Sequence, residues 1–104
     1  MKKLLICCIY GATAGSLAKK MQAVADRRGY QLMISAIGIE NFASVAPAFD
    51  CYLFAPHIQY KLSELTQNLR PGCPVAVIES YPYASLDGEK VFDYAIAHLP
   101  VLVK

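Results

Sequence analysis

The sequence lacks tryptophan, a strong excess of charge and any long apolar run. Its formal net charge of +2 is too small for the basic surface of a nucleic-acid-binding domain, so we expect no nucleic-acid partner. No apolar run approaches the ~20 residues that a membrane-spanning helix needs. Hydrophobic residues nevertheless make up 56% of the 104 residues, which predicts one compact domain spanning residues 1–104.

Cysteine and histidine patterns typical of metal sites are missing as well. The spacings between the four cysteines match no CxxC or zinc pattern, and only two histidines are available as further ligands. The adjacent Cys7 and Cys8 point to opposite faces of a strand, which makes them a poor disulfide or metal pair. We therefore expect reduced thiols in a cytoplasmic protein, without a metal or a cofactor.

The N-terminal segment imitates a secretory leader, because MKK is followed by LLICCIY and then by the small-residue triplet at 12–14. Its apolar run of about seven residues is at the lower limit for such a leader. An amphipathic helical pattern follows without a break. We therefore interpret the run as a first buried strand.

Apolar segments alternate with helical patterns along the chain. The segments typical of buried parallel strands are 3–9, 32–37, 51–55 and 74–78. The helical patterns cover 14–28, about 41–45, 56–69 and 87–99. This alternation predicts a three-layer α/β fold of flavodoxin-like or phosphatase-like topology, with a four-stranded parallel sheet in the order 2-1-3-4 and helices on both faces.

Residues at the ends of these elements agree with that assignment. Gly29 is suited to a left-handed helix cap, and Pro47 requires the short second helix to end before it. The third helix is expected to close at the Arg70-Pro71-Gly72 turn. The segment ESYPYAS is predicted to be a loop, after which Asp87 caps the last helix.

The loop after the first strand is the main candidate site, since ligands bind at the carboxyl ends of parallel strands. Its small residues let several backbone N–H groups converge, and the following helix N-terminus favours an anion there. A cysteine beside such a phosphate cradle is what phosphoryl transfer through a covalent intermediate requires. The predicted nucleophile and cradle are Cys8, Ile9, Tyr10, Gly11, Ala12, Thr13, Ala14 and Gly15. The other cysteines, Cys7, Cys51 and Cys73, are interpreted as packing residues.

Two known loop patterns compete for this segment. Low-molecular-weight tyrosine phosphatases use C-x5-R, but the arginine position is Ala14 here and no arginine precedes Asp26. Flavodoxins use a loop such as YGSTTGNT, which YGATAGS resembles. A small flavodoxin-like module that binds a flavin or another anion therefore stays as the alternative, although the chain has four predicted strands where that fold has five.

Three ordered blocks resemble the enzyme IIB component of the lactose/cellobiose (chitobiose) branch of the bacterial sugar phosphotransferase system. CIYGATAG is similar to the family's CxxGxTSG or CxxGMSTS loop. LFAPHIQYKLSEL is similar to LLGPQIxYxLxEI after strand three, and PVAVIESYPYASLDG to PVxVIDxxxYGxxDG around strand four. The resemblance covers nearly the whole chain.

The resemblance implies that Cys8 accepts a phosphoryl group from a phosphohistidine of a IIA protein. Cys8 would then pass it to a sugar bound by the IIC membrane permease. We expect a monomer, because an isolated domain with transient partners suggests one. Residues 11–15 would supply backbone donors, and Ile9 and Tyr10 would shield the group from water. His57 stands where the family commonly has glutamine and is expected at the rim or surface. Tyr60 and Tyr83 match the family and are equally suited to packing.

Overall fold

The computed structural model describes residues 1–67, 69–99 and 102. It contains four strands, which form a parallel sheet in the order β2-β1-β3-β4. The strands are β1 (Lys2–Cys8), β2 (Leu32–Gly38), β3 (Cys51–Phe54) and β4 (Val75–Val77). The α-helices are α1 (Ala12–Arg27), α2 (Phe42–Val45), α3 (Leu62–Thr66), α4 (Ser80–Ala84) and α5 (Gly88–His98). The predicted fold class and strand order are confirmed.

The central strand β1 forms the middle of the core. Its residues 4–8 are all buried, as expected of a strand with neighbours on both edges and helices over both faces. On β3, Tyr52 and Phe54 pack their rings against Phe42 of α2. On α5, Phe92 packs edge-on against Tyr30. The rings of Phe42, Tyr52, Phe54 and Phe92 are buried, and each aromatic ring adds a large apolar area to the core.

Two local predictions were wrong. The third helix begins as a 3-10 segment over Pro56–Lys61, and its α-helical part ends at Thr66, so Leu69 lies beyond it. Tighter i→i+3 bonds explain the difference, since Ile58 N–H donates to Ala55 O and Leu69 N–H donates to Thr66 O.

The expected loop ESYPYAS instead contains the short helix α4. Pro82 is tolerated there because the N–H groups of a first helical turn have no helical acceptor. The Ser85 hydroxyl closes the turn by donating to Tyr81 O at 2.9 Å.

The helix ends follow the sequence more closely. Gly29 is left-handed, with φ +76°. The Asp87 carboxylate accepts a hydrogen bond from Lys90 N–H at 3.0 Å and caps α5. None of the helices in the described part of the chain combines the length and the apolar character that crossing a bilayer requires.

Candidate functional site

The loop between β1 and α1 is held by a left-handed glycine. Gly11 is the N-cap of α1, with φ +82° and ψ −13°, a conformation that residues with a Cβ adopt at a cost. It turns the chain sharply from the end of the strand into the helix. Gly11, the first residue of the sequence pattern GATAG, therefore makes the turn, and α1 begins with the next residue, Ala12.

A second glycine, on the neighbouring strand, lets this loop lie against the sheet. The register of β1 on β2 places Cys8 beside Gly38. A Cβ on Gly38 would lie 3.0 Å from Ile9 O, and a Cβ on Gly11 would lie 3.2 Å from Gly38 N. The two backbones touch directly, so both positions require the absence of a side chain. The sequence placed Gly38 at the carboxyl end of the second strand, but it did not predict this packing role, which depends on a contact between distant parts of the chain.

Cys8 occupies the last position of β1, and its sulfur faces the turn. The Gly11 N–H donates to Cys8 Sγ at 2.9 Å. The residue is almost fully buried, yet it lines a shallow pocket of about 260 Å³. The thiol therefore combines a backbone donor with access to a cavity.

The first turn of α1 supplies the remaining N–H groups of the loop. The Gly15 N–H donates to Gly11 O at 2.8 Å and so belongs to the helix ladder. Ala12, Thr13 and Ala14 precede it, at positions whose N–H groups have no helical acceptor. The side chains of Ala12 and Thr13 are exposed, whereas that of Ala14 is buried in the core.

Residues from three separate elements complete the pocket. Ile9, Tyr10, Ala12 and Thr13 come from the loop, His57 from the 3-10 segment after β3, and Tyr83 from α4. Ile9 is partly buried, and Tyr10 is 88% exposed at the mouth. The topology thus brings the carboxyl ends of three strands to one cavity, as the parallel arrangement predicts.

His57 is exposed, as expected, and contacts the loop. Its Nε2 lies 3.5 Å from Ile9 N, which makes it a long and weak acceptor. Its ring centroid lies 5.6 Å from that of Tyr83. Tyr83 is buried, whereas Tyr60 is 72% exposed outside the pocket.

The other cysteines lie in different surroundings. Cys7 and Cys51 are fully buried, and Cys73 is partly buried in the segment just before β4. Burial first, and then the neighbouring charge of Cys8, raise the pKa of Cys7 to about 12. The Cys7 thiol is therefore neutral over the physiological range, which fits a packing role.

A family model described as "PTS system, Lactose/Cellobiose specific IIB subunit" matches residues 3–94. The chain belongs to this family. Sugar phosphotransfer as a IIB component of the phosphotransferase system is its function, and the flavin- or anion-binding alternative is not favoured. Proteins of this family work with IIA and IIC partners.

Individual relatives cover almost the whole chain. The oligo-beta-mannoside-specific EIIB component of Bacillus subtilis is 29% identical over 98 residues, which are 93% of this chain and 95% of the relative. The cellobiose-specific IIB component of Borrelia burgdorferi superposes with a TM-score of 0.75 at 25% identity, covering 99% and 95% of the two chains. The lactose-specific IIB domain of Streptococcus pneumoniae gives a TM-score of 0.79 at 16% identity, covering 94% and 97%, and shares the fold.

Proposed function

We propose that Cys8 is the residue of this IIB chain that carries the phosphoryl group. The observation that supports this most directly is the Gly11 N–H bond to Cys8 Sγ at 2.9 Å, at the edge of the 260 Å³ pocket. Backbone donors fixed before the reaction stabilise developing negative charge without reorganising. Cys8 combines such a donor with pocket access.

The transfer consists of two displacements at phosphorus. In the first, Cys8 Sγ attacks the phosphoryl group of a IIA phosphohistidine; the S–P bond forms, the P–N bond breaks, and the thiol proton goes to the released imidazole. In the second, a hydroxyl of the sugar held by IIC attacks the same phosphorus. The O–P bond forms, the S–P bond breaks, and the hydroxyl proton returns to the thiol.

The loop performs this task with backbone groups. The N–H groups of Gly11 and of the first turn of α1 surround the phosphoryl oxygens, and the partial positive charge of the helix end adds to them. Because no arginine lies between residues 1 and 26, no bidentate ion pair holds the group. The phosphoryl group is stabilised and still transferable, while Ile9 and Tyr10 at the mouth limit the approach of water.

The sugar, the location and the assembly follow from the same assignment. A sugar of the cellobiose, lactose or chitobiose type is proposed, since relatives carry cellobiose, lactose and oligo-beta-mannoside specificities. Four unpaired cysteines fit a reducing cytoplasm. Transient contacts with successive partners fit a monomer that acts as a protein-phosphocysteine–sugar phosphotransferase.

The test is phosphorylation by phosphoenolpyruvate through the upstream carriers, followed by mass spectrometry of the intact protein. We expect the wild type to gain one phosphoryl group and Cys8→Ala to gain none. Cys73→Ala is the matched control, because it removes a thiol outside the pocket, and it should be phosphorylated like the wild type. Phosphate on Cys8→Ala, or none on the wild type, would show that the assignment is wrong.

A further inference from the structure

Tyr83 is a buried pocket residue whose polar group the mechanism above does not use. It lies on α4, between β4 and α5, and lines the pocket together with Cys8. Only 6% of the residue is exposed. Its ring packs against His57 at 5.6 Å between centroids, which holds the phenol beside the loop.

The hydroxyl of Tyr83 is a buried polar group without a partner. Among the residues that the structure describes, no hydrogen-bond partner reaches it. A buried hydroxyl left unpaired costs free energy, so structures seldom keep one without a reason. Phenylalanine would fill the same space without that cost. A group that enters the pocket during function is the natural acceptor.

The environment of the hydroxyl keeps it protonated. Burial, and then interaction with the Cys8 side chain, raise the pKa of Tyr83. The Cys8 side chain is thus near enough to act on the phenol, although the pair does not meet the geometry of a hydrogen bond. At neutral pH the hydroxyl is therefore a neutral donor beside the sulfur.

We propose that Tyr83 is a further catalytic residue, whose hydroxyl donates a hydrogen bond to the phosphoryl group carried by Cys8. The inference rests on the proposed role of Cys8. The loop N–H groups would bind the phosphoryl oxygens from one side and the phenol from the α4 side. Tyr83 keeps its proton in both displacements, so the transfer of atoms and electrons is unchanged.

A neutral donor in this place suits a carrier. It adds a directed hydrogen bond from a buried hydroxyl, and hydrogen bonds away from bulk water are stronger than in water. It does not add the positive charge that would hold a phosphoryl dianion firmly, as an arginine would. The hydroxyl thus lowers the barrier for transfer to the thiol without trapping the product.

The test compares Tyr83→Phe with Tyr81→Phe, which removes the hydroxyl of a 73% exposed tyrosine on the same short helix. We expect Tyr83→Phe to accept the phosphoryl group from phospho-IIA about tenfold to a hundredfold more slowly, since one donor to the transition state is lost. Its phosphorus NMR signal as phosphocysteine should shift relative to the wild type. Its melting temperature should be equal to or above that of the wild type, because an unpaired buried hydroxyl is removed. Tyr81→Phe should match the wild type in all three measurements.

Wild-type transfer and an unshifted phosphorus signal in Tyr83→Phe would overturn the inference and leave the role of Cys8 intact. A measurement on the wild type alone tests the inference even if the Tyr83→Phe variant does not fold. The carbon NMR signal of Tyr83 Cζ should move on phosphorylation, while that of Tyr81 stays; an unmoved Tyr83 signal also overturns the inference. Failure of the proposed function is distinct, because it would appear as a wild type without phosphate or as a phosphorylated Cys8→Ala.

Discussion

The two ends of the parallel sheet surround their cysteines with opposite backbone groups. At the carboxyl end, the Gly11 N–H donates to Cys8 Sγ at 2.9 Å. At the amino end, Cys51 Sγ donates to Lys3 O at 3.8 Å. Donors stabilise a thiolate or a phosphoryl oxygen, whereas carbonyl oxygens stabilise a neutral thiol. Only the carboxyl end is therefore suited to an anion.

Burial strengthens this difference between the two ends. Burial first, and then the charge of Asp50, raise the pKa of the Cys51 thiol to about 12. Cys73 Sγ likewise approaches a carbonyl, Asp50 O, at 3.8 Å. The surroundings of each thiol thus differ, because Cys8 has a backbone N–H as its partner whereas Cys51 and Cys73 have carbonyl oxygens.

The largest effect is expected from a substitution at Gly38, at the carboxyl end of the sheet where the backbone N–H donors lie. In Gly38→Ala the new Cβ would meet Ile9 O at 3.0 Å and push the loop away from β2. Displacing the loop by a fraction of an ångström to one ångström should slow phosphoryl transfer by about a hundredfold. The overpacking should also lower the free energy of unfolding by about 1–3 kcal/mol. Single-turnover phosphorylation and urea denaturation measure the two effects.

Gly15→Ala is the control for the Gly38 variant, because a Cβ there meets nothing within 4 Å. It lies inside α1, and its N–H is bonded to Gly11 O and is therefore not a free cradle donor. Alanine should raise the free energy of unfolding by up to about 1 kcal/mol and leave transfer unchanged. A Gly38→Ala protein with the transfer rate of the wild type would refute the idea that loop contact with β2 positions the donors.

The buried neutral thiol of Cys51, at the amino end of the sheet, should make the free energy of unfolding depend on pH in alkaline solution. Cys51 has a pKa of about 12 in the fold against 9.0 for a free thiol. Below pH 9 the thiol is neutral in both the folded and the unfolded chain, so the free energy of unfolding has not yet lost any contribution from Cys51. Between pH 9 and 12 the unfolded chain releases the proton that the folded chain keeps, so the free energy of unfolding falls, by at most about 1.4 kcal/mol per pH unit for this thiol.

Urea denaturation as a function of pH measures that loss. Cys51→Ala should be less stable than the wild type at pH 7 because of the cavity, but its stability should fall less steeply above pH 9. Equal slopes in the Cys51 variant and the wild type would contradict the assigned surroundings of Cys51.

A third prediction concerns the edge strand β2 at the amino end. The Gln22 side chain donates to Leu32 O and accepts from Ile34 N–H, both at 2.8 Å. Gln22→Met keeps the length of the side chain but leaves both backbone groups unpaired, so the free energy of unfolding should fall by about 1–2 kcal/mol. Phosphoryl transfer should not change, since the bridge is remote from the pocket. Slower transfer would show that the two ends of the sheet are coupled.

The sequence predicted the sheet well because its information is local. The buried strand at 3–9 and the helical spacing after residue 14 each depend on side-chain periodicity within a few residues. The loop around Cys8 was predicted for the same reason, since a cysteine, small residues and a helix start are adjacent in the chain. The short α4 and the 3-10 segment were missed because proline and serine suit a turn as readily as a helical start.

The rest of the site could not be predicted because it is assembled by non-local contacts. Gly38 matters through a backbone contact across β2 and β1. Tyr83 and His57 enter the pocket from α4 and from the segment after β3. The sequence showed that the carboxyl ends of the strands meet, but it did not show which side chains turn toward Cys8. That choice depends on the helical form of α4.

The smallest effect is expected from a substitution of His57, at the edge of the pocket. Its Nε2 accepts from Ile9 N–H over a long 3.5 Å in an exposed position, so water can replace it. A glutamine side chain also offers an acceptor, and His57→Gln should therefore transfer phosphate within about threefold of the wild type, because a weak exposed bond contributes little. His57→Ala, measured by the same single-turnover assay, should be only slightly slower. A transfer rate lowered tenfold or more in His57→Gln would mean that the imidazole itself takes part in transfer. The backbone N–H groups would then not be sufficient for transfer.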